Sequence, residues 1–246
     1  MSSKQAIKTH FDYLSSSYSE NFSLEKSGRN YDFRKRLNIV VQEIQIESGS
    51  LLDCACGTGE ITLQVLKSSN FSTAVICDIS QDMLSIANDL IAKEIKTSSI
   101  SYREIDIFKY KPSTDLKFDI ILCLGLIAHV GSLDDLLMHL KLMLSKSGKI
   151  ILQSSLLDHF GVKLTKLLTA KRFTKKNGYH ISYFSKKMIE ECVLRNNLKI
   201  NNVRRYNIGI PFGDRISKNA NYWVEKKLAD IANICGSDAI FVISHA

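Results

Sequence analysis

The chain has 246 residues, of which 45% are hydrophobic and 24% are charged, and its formal net charge at pH 7 is +8. This composition is typical of a soluble globular protein, and the length suits one large α/β domain or two small ones. It excludes fibrous and low-complexity classes. The longest apolar run, residues 120–128, is far shorter than the ~20 residues of a membrane-spanning helix.

The N-terminus and the cysteines indicate the compartment. The first ten residues contain no apolar segment of the kind found in a secretory signal, so we expect a cytoplasmic protein. The six cysteines lie mostly in apolar stretches without paired CxxC spacing. We therefore expect reduced, buried cysteines and predict no metal site.

Two helical patterns precede the first strand. Phe11 and Tyr18 belong to a loosely amphipathic opening segment, which a polar loop containing Gly28 follows. A clearer helix is predicted from about Tyr31 and ends before Gly49. Because both patterns precede the first strand, residues 1–48 are predicted to form a helical cover over the sheet.

A glycine-rich turn follows the first apolar run. Residues 51–60 read Leu-Leu-Asp-Cys-Ala-Cys-Gly-Thr-Gly-Glu, and helical spacing begins at Ile61. This pattern predicts a strand, a tight loop and a helix start. In open α/β sheets such a turn lies at the carboxyl edge of a strand, where small ligands bind.

Strands and helices then alternate. Residues 73–77 and 100–105 form two further predicted strands, each followed by an acid, Asp78 and Asp106. A fourth predicted strand covers residues 118–124 and is apolar enough to be buried on both faces. Further strands are predicted at 149–153, 198–208 and 239–244, with a turn at 145–148 and a helix bearing Trp223 and Leu228. This alternation of strands and helices predicts a doubly wound, largely parallel sheet.

The glycine loop does not suit a dinucleotide. The third glycine of a GxGxxG loop is replaced by Thr62, and no GK[ST] phosphate loop is present. Asp78, at the end of the second strand, is placed to accept hydrogen bonds from a ribose diol.

Five segments between residues 50 and 153 together resemble the motifs of class I S-adenosylmethionine-dependent methyltransferases. In order, they are residues 51–59, 77–84, 105–107, 118–130 and 144–152. The resemblance implies a Rossmann-like seven-stranded sheet of order 3-2-1-4-5-7-6 with an antiparallel last strand. No linker rich in Pro, Gly or Ser interrupts the chain, so we predict one domain over residues 1–246. Its parts would be a cofactor-binding core at 49–153, a basic insert or lid at 154–185 and the rest of the sheet at 186–246.

The resemblance implies S-adenosylmethionine as cofactor and S-adenosylhomocysteine as product. The loop would offer backbone to the methionine moiety, Asp53 would steady that loop and the cofactor amino group, and Asp78 would bind the ribose. Tyr18 and Arg34 in the cover are candidates for the cofactor carboxylate, with core packing or solvation an equal alternative. The remaining implied cofactor contacts are Ala55, Cys56, Gly57 and Gly59 in the loop, with Ile79, Met83, Asp106, Ile107 and Leu124 beyond it. Ala55 departs from the glycine that is frequent in the motif, which is tolerated if its φ is negative.

His129 is the best-placed candidate for a catalytic base. It follows the fourth strand, and the usual pKa of histidine suits proton transfer. The alternative is a histidine that packs beneath the cofactor or substrate without taking a proton. His159, His180, Tyr179 and Tyr183 are further candidates on the segment expected to cover the acceptor.

The acceptor is predicted to be a small molecule. DNA amino and cytosine-C5 methyltransferase motifs are missing, and the chain lacks a carboxylate cluster beyond the fourth strand for metal-dependent catechol chemistry. Residues 160–189 contain eight basic residues and no acid. This segment is either a solvated surface or an electropositive rim for an anionic acceptor, such as a phosphorylated or nucleotide-linked sugar of a polysaccharide pathway.

Three alternatives remain open for function: a quinone or lipid methyltransferase at a membrane surface, an RNA methyltransferase, and a non-catalytic cofactor-binding regulator. Few aromatic residues are interleaved with the basic ones, which disfavours RNA.

Overall fold

A seven-stranded sheet forms the centre of the computed structural model, which describes residues 3–18, 28–96, 99–112 and 116–246. The strands, β1 to β7 in chain order, are Ser48–Asp53, Asn70–Asp78, Ile100–Glu104, Phe118–Leu124, Leu144–Ser155, Leu198–Tyr206 and Asp238–His245. Their spatial order is 3-2-1-4-5-7-6, and β7 pairs antiparallel with both β5 and β6. The fold class and the strand order predicted from the sequence are confirmed.

Ten α-helices lie in the described part of the chain. They are α1 (Ser3–Tyr18), α2 (Gly28–Glu43), α3 (Glu60–Ser68), α4 (Gln81–Glu94), α5 (Leu133–Met143), α6 (Phe160–Asn177), α7 (Lys186–Arg195), α8 (Gly213–Ile216), α9 (Lys218–Lys227) and α10 (Ala229–Cys235). The side chains of Ser80, Ser132 and Ser185 accept a backbone N–H in the first turns of α4, α5 and α7. These serines are the N-caps that the sequence predicts. No helix here combines the length and apolar character that crossing a bilayer requires.

Besides shifts of one to three residues at the ends of strands, the structure differs from the sequence prediction in three parts of the chain. Strand β5 begins at Leu144, which pairs with Phe118, so the predicted turn at 145–148 is part of the strand. The register shifts along this pair, and a Cβ at Gly148 would lie 2.7 Å from the Phe118 carbonyl oxygen. Gly148 thus allows the backbones of β4 and β5 to approach closely where a turn was predicted. Helix α2 begins at Gly28, which was predicted to lie in a loop. The rest of that predicted loop, positions 19–27, lies outside the described residues. The predicted helix bearing Trp223 and Leu228 is two helices, α9 and α10, which meet at Leu228.

Both faces of the sheet are covered. Alternate residues of β4 enter different clusters: Ile121 and Cys123 pack with α5 and α7 residues, whereas Ile120 and Leu122 pack with residues of α2 and α3. The continuous apolar sequence of β4 is explained by this two-sided burial. Free thiols occur at all six cysteine positions, and only Cys235 is exposed.

The packing of α3 against α4 generates a stability prediction. Gly59 has a φ of +86°, and an added Cβ would lie 2.8 Å from the Ala87 Cβ. We expect Gly59→Ala to lower the free energy of unfolding by about 2 kcal/mol or more, through backbone strain and overpacking. Urea denaturation measures this change. Gly131→Ala is the control, because a Cβ there has no atom within 4 Å; an equal loss in both variants would contradict the prediction.

Candidate active site

The loop between β1 and α3 has the conformation that its glycines permit. Gly57 has a φ of +56° and Gly59 a φ of +86°, both in the left-handed region that favours glycine. Ala55 is not among the residues with positive φ. The alanine therefore meets the condition under which its methyl group is tolerated.

Asp53 holds the start of this loop. Its carboxylate accepts hydrogen bonds from the Thr62 hydroxyl at 2.6 Å and from the Ala55 backbone N–H at 3.4 Å. Burial raises the pKa of Asp53 to about 7, although both hydrogen bonds oppose the rise. Thr62, which stands where a dinucleotide loop has its third glycine, is thus the hydroxyl that ties α3 to the end of β1.

Asp78 holds the other side of the loop. One carboxylate oxygen accepts the Gly57 backbone N–H at 2.9 Å, and the other accepts the Ser80 N–H, also at 2.9 Å. Burial raises the pKa of Asp78 to about 6. The ends of β1 and β2 are therefore linked by a carboxylate that lies at the predicted ribose position.

Helix α1 covers this edge of the sheet. Lys4 forms an ion pair with Asp106, and the Lys8 ammonium donates to the Ile79 carbonyl oxygen at 3.3 Å. Met83 and Ile107 are buried at the same edge, beyond the ends of β2 and β3. The structure thus brings the residues predicted to contact adenine together beneath the predicted cover.

A cavity of about 800 Å³ lies next to this edge. We call it the central cavity; α1, α2, the ends of β5 to β7 and the loops after β4 and α6 line it. Its lining includes Leu14, Ser17, Tyr18, Arg29, Asp32, Phe33, Arg36, Gly125, Ile127, Ala128, Gln153, Ser154, Ser155, Ile181, Ser182, Tyr183, Tyr206, Asn207 and Asp238. Leu124 ends β4 directly before Gly125. Tyr18 joins cavity and loop, because its Cε1 atom lies 3.5 Å from the place of a Cβ on Gly57.

Two carboxylates from distant parts of the chain, Asp32 and Asp238, line the central cavity. Asp238 accepts hydrogen bonds from the Asn207 amide and the Ser237 hydroxyl, both at 2.8 Å. Asp32 has one buried oxygen without a hydrogen-bond partner among the described residues. Burial raises the pKa of Asp32 to about 10, and the charges of Glu225 and Asp238 act in the same direction.

One face of α2 supplies cavity residues that were not predicted from the sequence. Arg29, Asp32, Phe33 and Arg36 all line the cavity, whereas Arg34 does not. The Arg36 guanidinium lies 5.1 Å from the Phe33 ring centroid, and its buried Nε has no partner in the described part of the chain. The 29, 32, 33, 36 spacing marks one helix face and could have identified this set.

His129 lies beside the central cavity but is not among its lining residues. Its ring contacts the Phe11 ring edge to face at 5.0 Å, and its Nδ1 lies 3.3 Å from the Tyr179 hydroxyl oxygen. Burial lowers the pKa of His129 to about 4, with a smaller contribution from His10. These are the contacts of a packing residue, and a role as base stays a prediction.

The basic insert contributes apolar and hydroxyl groups to the cavity rather than cations. Ile181, Ser182 and Tyr183 line it. Of the two further histidine candidates, His159 caps α6 by accepting the Gly161 N–H at 3.1 Å, and His180 is exposed.

The sequence model of a family described as a methyltransferase domain matches residues 26–203. This chain belongs to that family. The match spans most of the chain, including the glycine loop, and confirms the family inferred from the five motifs.

Solved structures with the same fold include several methyltransferases. The magnesium protoporphyrin IX methyltransferase of Synechocystis PCC 6803 with bound SAH aligns over 100% of both chains, with a TM-score of 0.71 and 12% identity. A possible histamine N-methyltransferase from Thermotoga maritima aligns over 98% of this chain and 100% of that one, with a TM-score of 0.68 and 15% identity. A [4+2]-cyclase, SpnF, aligns over 100% of this chain and 97% of that one, with a TM-score of 0.68 and 15% identity. These similarities show the class I methyltransferase fold. No curated protein sequence matches the chain significantly.

The buried Asp32 generates a prediction about stability and pH. The folded protein keeps a proton on Asp32 up to about pH 10, whereas the unfolded chain releases it above about pH 4. Below about pH 4, Asp32 is protonated in both the folded and the unfolded state and does not affect stability. Above that pH, the proton that only the folded state keeps lowers the free energy of unfolding progressively as the pH rises. Asp32→Asn lacks this titration. We expect its stability relative to the wild type to rise between pH 5 and pH 8 by ~1 kcal/mol or more.

Urea denaturation of the two proteins at several pH values measures this difference. Asp89→Asn, at an exposed position of α4, is the control, and we expect it to differ from the wild type by less than ~0.5 kcal/mol at every pH. Parallel pH profiles for wild type and Asp32→Asn would contradict the prediction.

Proposed function

We propose that the protein transfers the methyl group of S-adenosylmethionine to a small molecule held in the central cavity. The observation that carries this proposal is the contact between cavity and glycine loop through Tyr18. Structures of the same fold with bound SAH or SAM support the choice of donor.

The residues present fit this cofactor. A Cβ on Gly57 would meet only the Tyr18 ring, at 3.5 Å, so a ligand can approach the loop backbone closely. The unpartnered Nε of Arg36 offers a buried donor for a carboxylate. When bound, S-adenosylmethionine supplies a methyl group already activated by its sulfonium, so no nucleophilic side chain is required.

Each part of the cofactor has a proposed partner. Asp78 accepts from the ribose hydroxyls, since a carboxylate has about four acceptor sites and its backbone donors are Gly57, Ile79 and Ser80. Ile79 and Met83 pack against adenine, Asp106 and Ile107 meet its amine, and Asp53 steadies the loop. The cofactor carboxylate binds Arg36 and Tyr18, so Arg36 takes the role for which the sequence made Arg34 a candidate.

The remaining cavity residues orient the acceptor. Asp238 accepts hydrogen bonds from four side chains, those of Ser155, Gln153, Asn207 and Ser237, and it lines the cavity. It therefore fixes the shape of the polar wall against which the acceptor lies. Ile127, Ile181 and Tyr183 form an apolar wall that excludes water around it. Alignment and desolvation are the contributions that methyl transfer requires of the protein.

An anionic acceptor, such as a phosphorylated sugar or a polysaccharide precursor, remains a proposal. Arg29 and Arg36 are the arginines that line the central cavity in the described residues, and the lysines of α6 are not in its lining. If α6 binds the acceptor, charge reversal at Lys171, Arg172, Lys175 and Lys176 raises its KM. An unaltered KM in a folded variant excludes this role.

A second candidate function is cofactor binding without methyl transfer. SpnF, which has the same fold, is a [4+2]-cyclase, so the fold alone does not require methyl transfer. Formation of S-adenosylhomocysteine distinguishes the two functions.

The direct test is a methyl-transfer assay with a panel of cell metabolites. We expect at least one acceptor to give S-adenosylhomocysteine in proportion to methylated product. Asp78→Ala serves as the cofactor-deficient control, and Asp82→Ala, at an exposed position of the same edge, as the matched active control. Cofactor binding without turnover across the panel would favour the second candidate.

Cofactor binding measured by calorimetry tests the residue assignment. We expect Asp78→Ala and Arg36→Gln each to weaken binding by about tenfold or more, because each removes a hydrogen bond to a polar or charged ligand group. Arg34→Gln is the matched control on the same helix, with an expected change below about threefold. A loss confined to Arg34→Gln would support Arg34 as the carboxylate ligand and contradict the role of Arg36.

A further inference from the structure

Helix α6 has one face packed on the protein and another that is open. On the packed side, the Phe173 ring lies 5.6 Å from the His10 ring and 5.3 Å from the Tyr179 ring. Near its start, a Cβ on Gly161 would lie 2.3 Å from the Gly209 carbonyl oxygen. The helix is therefore anchored at both ends, and its open face has a fixed orientation.

The open face is apolar in its first half. Phe160, Leu167 and Leu168 expose 75%, 80% and 58% of their surface. Positions 160, 164, 167 and 168 recur at helical spacing, so their side chains form a continuous stripe. Exposed apolar residues that cluster in this way mark interaction sites more often than single ones do.

The second half of the same face is cationic. Lys171, Arg172, Lys175 and Lys176 are all exposed, and α6 contains no acidic residue. Within the described residues, none of the six basic side chains of α6 forms an ion pair with a carboxylate. The charge of this face is therefore not neutralised by the protein itself.

We propose that α6 docks on an anionic lipid surface, with Phe160, Leu167 and Leu168 inserted at the headgroup boundary and the basic residues on the lipid headgroups. Clusters of uncompensated lysine and arginine are attracted to anionic lipid headgroups, and adjacent exposed apolar side chains add hydrophobic binding energy at the headgroup boundary. A second copy of the chain fits less well, because apposed α6 faces would bring like charges together. RNA fits less well too, because Leu167 and Leu168 provide no ring for base stacking.

Helix α6 itself lies next to the central cavity. The Lys166 ammonium lies 5.0 Å from the Tyr183 ring centroid, and Tyr183 lines the cavity. Docking through α6 would therefore hold the cavity wall near the lipid. The inference concerns a binding surface and does not depend on which acceptor is methylated.

Vesicle co-sedimentation tests the proposal with the full chain. We expect binding to phosphatidylcholine vesicles that contain phosphatidylglycerol to exceed binding to pure phosphatidylcholine by about tenfold or more, and to fall as salt is raised. Two variants should each weaken that binding by about tenfold. The first combines Leu167→Gln with Leu168→Gln, and the second changes Lys171, Arg172, Lys175 and Lys176 to Ser.

Matched controls separate the surface from net charge and general hydrophobicity. Ile216→Gln with Ile234→Gln alters two residues that are 81% and 79% exposed elsewhere. Changing the exposed Lys111, Lys146, Lys199 and Lys227 to Ser removes the same charge away from α6. Both controls should keep most vesicle binding, and circular dichroism together with cofactor calorimetry verifies that every variant is folded.

Several results would overturn the proposal. They are equal binding to both kinds of vesicle, equal losses in the α6 variants and their matched controls, and a dimer in light scattering that Leu167→Gln with Leu168→Gln dissociates. A salt-sensitive RNA shift that exceeds the vesicle affinity and is lost in the α6 charge variant would also overturn it.

Discussion

The carboxyl edge of the sheet in this protein depends on two buried carboxylates that hold a glycine loop. Asp53 binds the Thr62 hydroxyl, and Asp78 binds the Gly57 N–H, so β1, β2 and α3 are joined at one point. Burial raises the pKa of both carboxyls, to about 7 and about 6. The loop conformation is therefore maintained at the cost of desolvating two acids, an arrangement common at functional sites.

The central cavity follows from how α2 lies against the far half of the sheet. Its inward face brings Asp32 towards Asp238 and places Arg36 near Tyr18. Burial raises the pKa of Tyr18, and the charge of Arg36 opposes that rise. Acidic and basic groups thus line the same cavity. Arg36 and Tyr18 lie in the part nearest the glycine loop, and the hydrogen-bonded carboxylate of Asp238 lies in the part formed by the ends of β5 and β7.

The sequence predicted the fold because β1, β2, β4 and β5 each contain an apolar run and because helical patterns alternate with the strands. It placed Asp53, Asp78 and Asp106 at one edge, since the carboxyl ends of parallel strands meet there. The spacing of residues 29, 32, 33 and 36 marks one face of α2, but the sequence could not predict that this face meets β7, because Asp32 and Asp238 come from opposite ends of the chain. It also left the direction of the His129 ring open, which depends on the short 3₁₀ turn at Leu126–His129.

The composition of the basic segment does not determine which of its residues reach the central cavity. Its charge alone was compatible with an acceptor site, but the cations lie on the outer side of α6, while Ile181 and Tyr183 from the following loop reach the cavity. The anchoring of α6 through Phe173 fixes this division. A single segment therefore presents two chemically different surfaces, a mostly uncharged one to the cavity and a cationic, apolar one to the outside, and the two can be altered independently.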